Sequence, residues 1–159
     1  MKEQGINYLL VNSTNEYLVE YTPLNENSRY KLTDFSGSTG DALVTPDTVY
    51  LFVDGRYHIQ ADLEVDKTLV TVVKLQTGEK FLDKLVEKIP KDEVLGIFSK
   101  KVSQNTLENI QKTTKTKLFD TDPLDEISTY DKSNISEVDG ITPDEKIKDI
   151  KNTTVLTNL

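Results

Sequence analysis

Apolar residues in this chain come in short runs of two kinds. Ile6–Val11, Ala42–Val44, Val49–Val53, Leu69–Val73 and Val94–Phe98 are rich in β-branched and aromatic residues and bounded by turn formers, which predicts strands. Phe81, Leu82, Leu85, Val86 and Ile89 instead fall at i, i+1, i+4, i+5 and i+8, one face of a helix that Pro90 stops. Ser103 reads as the cap of a further helix, with Val102 and Leu107 as its staple and Leu107 and Ile110 facing inward. Lys117–Phe119 returns as a strand. Between Tyr57 and Val65 the apolar residues alternate with period two, yet Ile59 and Leu63 also stack at helical spacing, so the pattern leaves this stretch open.

Ala42–Val44 and Val49–Val53 are separated by Thr45-Pro46-Asp47-Thr48, a hairpin in which proline presets φ and Asp47 can bond its own turn backbone. Strands then alternate with helices over residues 69–119, which predicts parallel neighbours joined by right-handed crossovers. The sum is an α/β fold, a mixed sheet of about six strands between helices.

The connecting segments are polar. Met1–Gln4 has room for one helical turn, and Gly5 sits where a left-handed terminus is expected. Glu16–Tyr21 reads as a short turn, residues 23–28 as a polar surface loop, and Asp122-Pro123 as the start of a short helical segment through Ile127. Residues 130–140 read as a linker. Thr142-Pro143-Asp144-Glu145 then sets a new helix start, with Ile147 and Ile150 inward and strand character from Val155. The expected organisation is one domain over 1–129, then a linker and the beginning of a next domain over 130–159.

At 159 residues, 36% hydrophobic and 29% charged, the chain has the make-up of a folded domain with a sizeable core. No apolar run reaches spanning length, so no membrane role is expected. The absence of cysteine excludes a disulfide framework and suits a reducing compartment. With 19 basic against 27 acidic residues, nucleic-acid binding would need a clustered basic face, and only pairs such as Lys100-Lys101 occur.

The candidate chemistry lies between Phe35 and Asp66. Phe35-Ser36-Gly37-Ser38-Thr39-Gly40 has the glycines of a phosphate cradle, but it lacks the P-loop lysine and leads into a strand; a tight strand entry with positive φ at Gly37 and Gly40 is expected instead. Ser36 and Ser38 have no histidine at triad spacing. His58 is the single imidazole, and Asp62, Glu64 and Asp66 read as a solvated helix face rather than ligands. In Asp54-Gly55-Arg56-Tyr57, glycine lets the chain bend and Arg56 leaves the sheet edge, free to pair with Asp54 or Asp62.

The order of Phe35–Gly40, hairpin, Asp54-Gly55-Arg56-Tyr57 and Gln60-Ala61 resembles the N-terminal domain of Xaa-Pro aminopeptidases of the three-domain kind, a domain shared with creatinase and prolidase. Ile6–Asn12 with Glu16-Tyr17, Leu124-Asp125-Glu126-Ile127 and Asp144-Glu145-Lys146-Ile147 extend the likeness over nearly the whole chain. Arg29-Tyr30-Lys31-Leu32 matches the arginine and aromatic or apolar pair before the loop, whereas Asp34 stands where relatives usually carry glycine and Asp41 where they carry a small residue.

The resemblance implies a three-layer sandwich with a ribonuclease H-like motif, and a helix over the ambiguous stretch. It implies a cytoplasmic, dimeric enzyme that removes the first residue from peptides with proline second, using two divalent metal ions, manganese expected, in a catalytic domain outside this chain. The domain itself would be non-catalytic and hold no metal, assisting substrate access and homodimerisation. Arg56 would contact the peptide, with Asp54 and Tyr57 supporting it. Alternatives are a binding module on an inactive relative, or the corresponding domain of a prolidase or creatinase.

Overall fold

A computed structural model describes residues 5–127. These contain six strands, β1 (Tyr8–Val11), β2 (Asp41–Val44), β3 (Val49–Val53), β4 (Val70–Lys74), β5 (Val94–Phe98) and β6 (Lys115–Phe119). Four helices accompany them, α1 (Ser28–Thr33), α2 (His58–Glu64), α3 (Phe81–Glu87) and α4 (Gln104–Gln111). The strands form one sheet in the order β4-β3-β2-β1-β5-β6, in which β2 alone runs against the others.

Side-chain alternation distributes the core over both faces of the sheet. Leu10, Leu43, Phe52, Leu95 and Ile97 point to one face, where Leu85 and Ile89 follow from α3, and Leu107 and Ile110 from α4. On the other face, Leu51, Val53 and Val70 pack with Phe35 and with Ala61 of α2, while Val11, Ala42 and Phe98 pack with Leu32 of α1. The result is the expected three-layer α/β arrangement with a mixed six-stranded sheet.

The hairpin, the α3 face and the Ser103 cap are where the pattern puts them: Leu43 pairs with Tyr50, Ile89 is buried, and Ser103 accepts from the Thr106 amide at 3.2 Å. The ambiguous stretch is helical, as α2, and Gly5 takes φ 68°. Helix α2 leaves Ile59 and Leu63 on its solvent side. The hairpin turn is closed by Thr45 rather than Asp47, because its hydroxyl donates to the Thr48 carbonyl at 2.8 Å and accepts from the Thr48 amide at 3.2 Å.

Two further expectations fail. Strands β4 and β5 are not neighbours: the chain crosses β3, β2 and β1 between them. Alternation of strands and helices sets the connections but not which edge receives the next strand. Val94–Phe98 is apolar throughout and almost wholly buried, so it takes an interior place beside β1, whereas the lysine-bearing Lys115–Phe119 takes the edge.

The stretch 23–28 is not a simple surface loop either, since Asn27 and Ser28 are buried. Asn27 caps α1 by accepting from the Tyr30 amide at 3.0 Å. Ser28 joins Lys101 and Asp122 in a buried polar cluster: the Lys101 ammonium lies 2.8 Å from Ser28 Oγ and 2.9 Å from Asp122 Oδ2, and also reaches Asp125. Lys31 donates to the Leu124 carbonyl at 2.8 Å. Together these clasp the closing turn Pro123–Glu126 to α1. The readings made for residues 1–4 and 130–159 lie outside the described residues.

Removing the cation from this cluster leaves buried Asp122 without its counter-charge. Lys101→Met is expected to lower the unfolding free energy by about 3–5 kcal/mol in urea denaturation, and Lys101→Met with Asp122→Leu to recover much of that loss.

Candidate functional site

Because β2 alone is reversed, the carboxyl ends of β1, β3, β4, β5 and β6 share one edge of the sheet, and the loop entering β2 arrives there as well. That edge is where open α/β sheets gather functional loops.

The glycine loop is held from below and from the side. Arg29, fully buried on α1, donates from Nη1 to the Phe35 carbonyl at 2.9 Å and from Nη2 to the Gly37 carbonyl at 2.5 Å, with its guanidinium 4.6 Å from the Phe35 ring centroid. Burial lowers the Arg29 pKa to about 10, against the opposing pull of Asp41 and Glu64. Helix α1 ends on Asp34 at φ 58°, a left-handed position that glycine fills most easily and aspartate tolerates.

On the α2 side, Glu64 accepts from the Ser36 amide at 2.7 Å and from the Ser36 hydroxyl at 2.9 Å, while Gln60 donates to Ser36 Oγ at 3.0 Å. Glu64 is therefore a clamp and not simply a solvated face. Burial pushes its carboxyl up, but the Ser36 amide and Gln60 outweigh that and hold its pKa below the ordinary value. With the Ser36 amide donating to Glu64 and two loop carbonyls turned to Arg29, the loop is not a phosphate cradle. Ser38 pairs with the Tyr57 hydroxyl at 2.8 Å.

The two loop glycines are needed for different reasons. Gly40 has φ 116°, as expected. Gly37 does not have positive φ; it is required by close packing, since a Cβ there would collide with Phe35 Cζ and lie 2.8 Å from Tyr57 Cδ1. Gly55 requires neither, because a Cβ there would meet nothing within 4 Å. The bend comes from the turn closed by the Tyr57 amide on the Asp54 carbonyl at 3.0 Å.

That turn brings Asp54, Arg56 and Tyr57 together. Arg56 donates from Nε to Asp54 Oδ1 at 3.1 Å and from Nη2 to Asp54 Oδ2 at 2.7 Å, and Nη2 also reaches Thr39 Oγ1 at 3.2 Å. The guanidinium carbon is 5.3 Å from the Tyr57 ring centroid. These hydrogen bonds hold the Asp54 carboxyl below its ordinary range and raise Arg56. Arg56 Nη1 has no hydrogen-bond partner among the described residues, and the side chain is 63% exposed. Asp62 is not the partner of Arg56; it pairs with Lys74 at 2.5 Å and Lys67 at 3.9 Å. Thr39 was missed in the sequence, where nothing marks a loop threonine as facing an arginine seventeen residues on.

His58 sets its Nε2 3.1 Å from the Leu75 carbonyl, and Asp66 bonds the Thr68 amide at 2.8 Å. Among the described residues no group of three or more His, Asp and Glu gathers as a metal site, and no helix is long and apolar enough to cross a membrane.

The mixed α/β/α sheet, with a clamped glycine loop and a tethered arginine at its carboxyl edge, has the fold of the creatinase-type class of domain. Residues 1–127 match the family model of the Creatinase/Prolidase N-terminal domain, and the chain belongs to that family. It is 29% identical over 121 residues to Xaa-Pro aminopeptidase 1 of Dictyostelium discoideum, covering 76% of this chain and 19% of that protein. A probable Xaa-Pro aminopeptidase P of Laccaria bicolor is 37% identical over 67 residues, covering 42% of this chain and 10% of that protein.

Among solved structures, X-prolyl aminopeptidase of Caenorhabditis elegans, described as a cytosolic enzyme with a di-nuclear active site, superposes with a TM-score of 0.67 at 22% identity, over 77% of this chain and 21% of that one. The N-terminal domain of an X-Pro dipeptidase from Streptococcus pyogenes gives 0.53 at 14% identity, over 74% of this chain and 86% of that one. The chain thus spans about a fifth of the Dictyostelium relative, and these structural likenesses establish its fold.

Gly37→Ala is expected to cost about 1–3 kcal/mol in thermal or urea unfolding, because fully buried Phe35 has no room to yield, while Gly55→Ala stays within about 0.5 kcal/mol. The lowered Glu64 pKa fixes the sign of a pH effect: its contribution is present above the ordinary glutamate value of 4.5 and lost as pH falls through the folded value. Melting temperatures measured from pH 6 down to about pH 3 should therefore fall more steeply for the wild type than for Glu64→Gln.

Proposed function

We propose that this chain is the non-catalytic N-terminal domain of a metal-dependent, cytoplasmic Xaa-Pro aminopeptidase, in which it controls access of peptides with proline second. In this reading the domain spans residues 1–129, and 130–159 lead into the next domain. The remaining polypeptide carries the two divalent metal ions, manganese, which supply the chemistry of hydrolysis. The enzyme works as a homodimer, with no nucleic-acid or membrane partner. Family membership and Xaa-Pro aminopeptidases as sequence relatives support this reading, and the cytosolic Caenorhabditis enzyme and a cysteine-free chain support its location.

The observation that carries the access role is the state of Arg56. Its Nε and Nη2 edge is committed to Asp54 and Thr39, so the guanidinium plane is set before any ligand arrives, while Nη1 stays unspent at the exposed carboxyl edge. An arginine in that condition can donate to a peptide carbonyl or carboxylate without first ordering its long side chain. Asp54 is the positioning residue, and Tyr57 lies beside the guanidinium. Such a grip adds binding for a peptide long enough to reach this domain and leaves the bond-breaking step alone.

In the parent enzyme, Arg56→Ala should raise KM about tenfold for Xaa-Pro peptides longer than two residues, with kcat and the KM of a dipeptide unchanged. Asp54→Asn should produce a smaller rise in the same direction. Unchanged steady-state kinetics would remove the role of Arg56. The 159-residue chain supplied with Mn²⁺ should give no turnover, and cleavage by it would overturn the non-catalytic assignment.

A further inference from the structure

Strands β4 and β6 are the two edges of the sheet, and they are finished differently. Strand β6 carries Lys115 and Lys117, and lysine is the kind of residue that keeps an edge from pairing with another chain. Strand β4 reads Val70-Thr71-Val72-Val73-Lys74, and its one cation is drawn to Asp62 at 2.5 Å. The valine edge is unguarded.

The backbone of β4 defines what that edge offers. The Leu69 carbonyl accepts from the Val49 amide at 3.3 Å and the Leu75 amide donates to the Val53 carbonyl at 2.9 Å. Leu69, Thr71, Val73 and Leu75 therefore turn their backbone groups to β3, while Val70, Val72 and Lys74 turn theirs outward. Two outward groups are engaged within the chain: the Val70 amide donates to the Asp66 carbonyl at 2.9 Å, and the Lys74 carbonyl accepts from Gln76 Nε2 at 3.2 Å. The Val70 carbonyl, the Val72 amide and carbonyl, and the Lys74 amide are left without partners among the described residues.

Those groups are symmetric about Val72. In an antiparallel pair with Val72 opposite Val72 of a second copy, each Val72 amide meets the other Val72 carbonyl, and each Lys74 amide meets the other Val70 carbonyl. Every open group finds a partner. Where the Val70 amide and the Lys74 carbonyl face each other, both already hold bonds within their own chains, so neither is orphaned. A foreign extended strand would instead leave its own carbonyl against the engaged Val70 amide and its own amide against the engaged Lys74 carbonyl. Side chains fit the same register. Leu69, 65% exposed, falls opposite Leu75 and Thr71 opposite Val73, while on the α2 face Val72 meets Val72 and Val70 meets the stem of Lys74.

We propose that β4 is a self-complementary docking edge, through which two copies of this domain pair antiparallel about Val72 and join their sheets into one. The edge rests on the homodimer in the function proposed above and gives that homodimer a surface.

Sedimentation velocity and amide hydrogen exchange of the 159-residue chain, from about 20 µM to about 2 mM, test it. So short an interface is expected to associate with a Kd of about 0.1–1 mM. Exchange of the Val72 and Lys74 amides should slow about twofold or more across that range, with the amides of β6 unchanged. Leu69→Lys, a change at an exposed position, should weaken association about fivefold. Val72→Pro, whose lost amide takes no part in pairing with β3, should weaken it about tenfold or more; if its circular dichroism departs from the native spectrum, Leu69→Lys decides alone. A chain still monomeric at about 2 mM overturns the proposal, as does a dimer in which the Val72 and Lys74 amides exchange as in the monomer, or one that Leu69→Lys leaves intact. In the parent enzyme, a homodimer that both variants leave intact overturns the edge and spares the homodimer, whereas a monomeric parent enzyme removes both.

Discussion

One buried guanidinium carries the organisation of the functional edge. Arg29 is shielded from water, and no carboxylate lies within ion-pair distance of it among the described residues. Desolvating a cation is expensive, and what offsets the cost here is two backbone carbonyls, an aromatic face and the more distant fields of Asp41 and Glu64. Those two carbonyls, of Phe35 and Gly37, belong to the loop that leads into β2. A loop with backbone oxygens facing inward needs donors there, and only a fork of fixed geometry can serve both at once.

From that anchor the rest follows in steps. Phe35 is pressed into the cluster with Leu51 and Ala61, which leaves no room for a side chain at Gly37 and sets the Phe35 ring edge-on to Tyr57 at 5.7 Å. The loop then presents the Ser36 amide to Glu64, the Ser38 hydroxyl to Tyr57 and the Thr39 hydroxyl to Arg56. Each of these links α2 and its leading turn to the loop, so the geometry around Arg56 is inherited from the buried Arg29. The second buried cation, Lys101, does unrelated work: it fastens the closing turn to α1 through Asp122 and Asp125.

Periodicity was enough for the elements whose residues are sorted by burial, which is why β2, β3, β5, α3 and α4 could be read within a residue or two, and the Ser103 cap with them. Helix α2 needed the family resemblance, because Ile59 and Leu63 face solvent and so give no inward stripe. Helix α1 went unread for a related reason: its buried side chains are Ser28, Arg29 and Thr33, and a core face made of polar residues carries no hydrophobic period. The place of β5 depended on which sheet edge could bury an all-apolar strand, a property of the assembled sheet. In the site, Asp54, Arg56 and Tyr57 stood out as a contiguous motif, whereas Thr39, Glu64 and Arg29 act on it from distant positions in the chain.

The Arg56–Asp54 pair contributes little to stability, being exposed on both sides and separated by one residue. Its value is geometric. A free arginine at a surface explores many rotamers, and any ligand that used it would have to absorb that entropy; a bidentate partner two residues away removes most of the freedom within the domain itself. The same arrangement sets a ceiling on what the residue can do, since only Nη1 remains for an incoming group. Arg56 is thus suited to orient a ligand that other contacts already hold, and poorly suited to bind one alone.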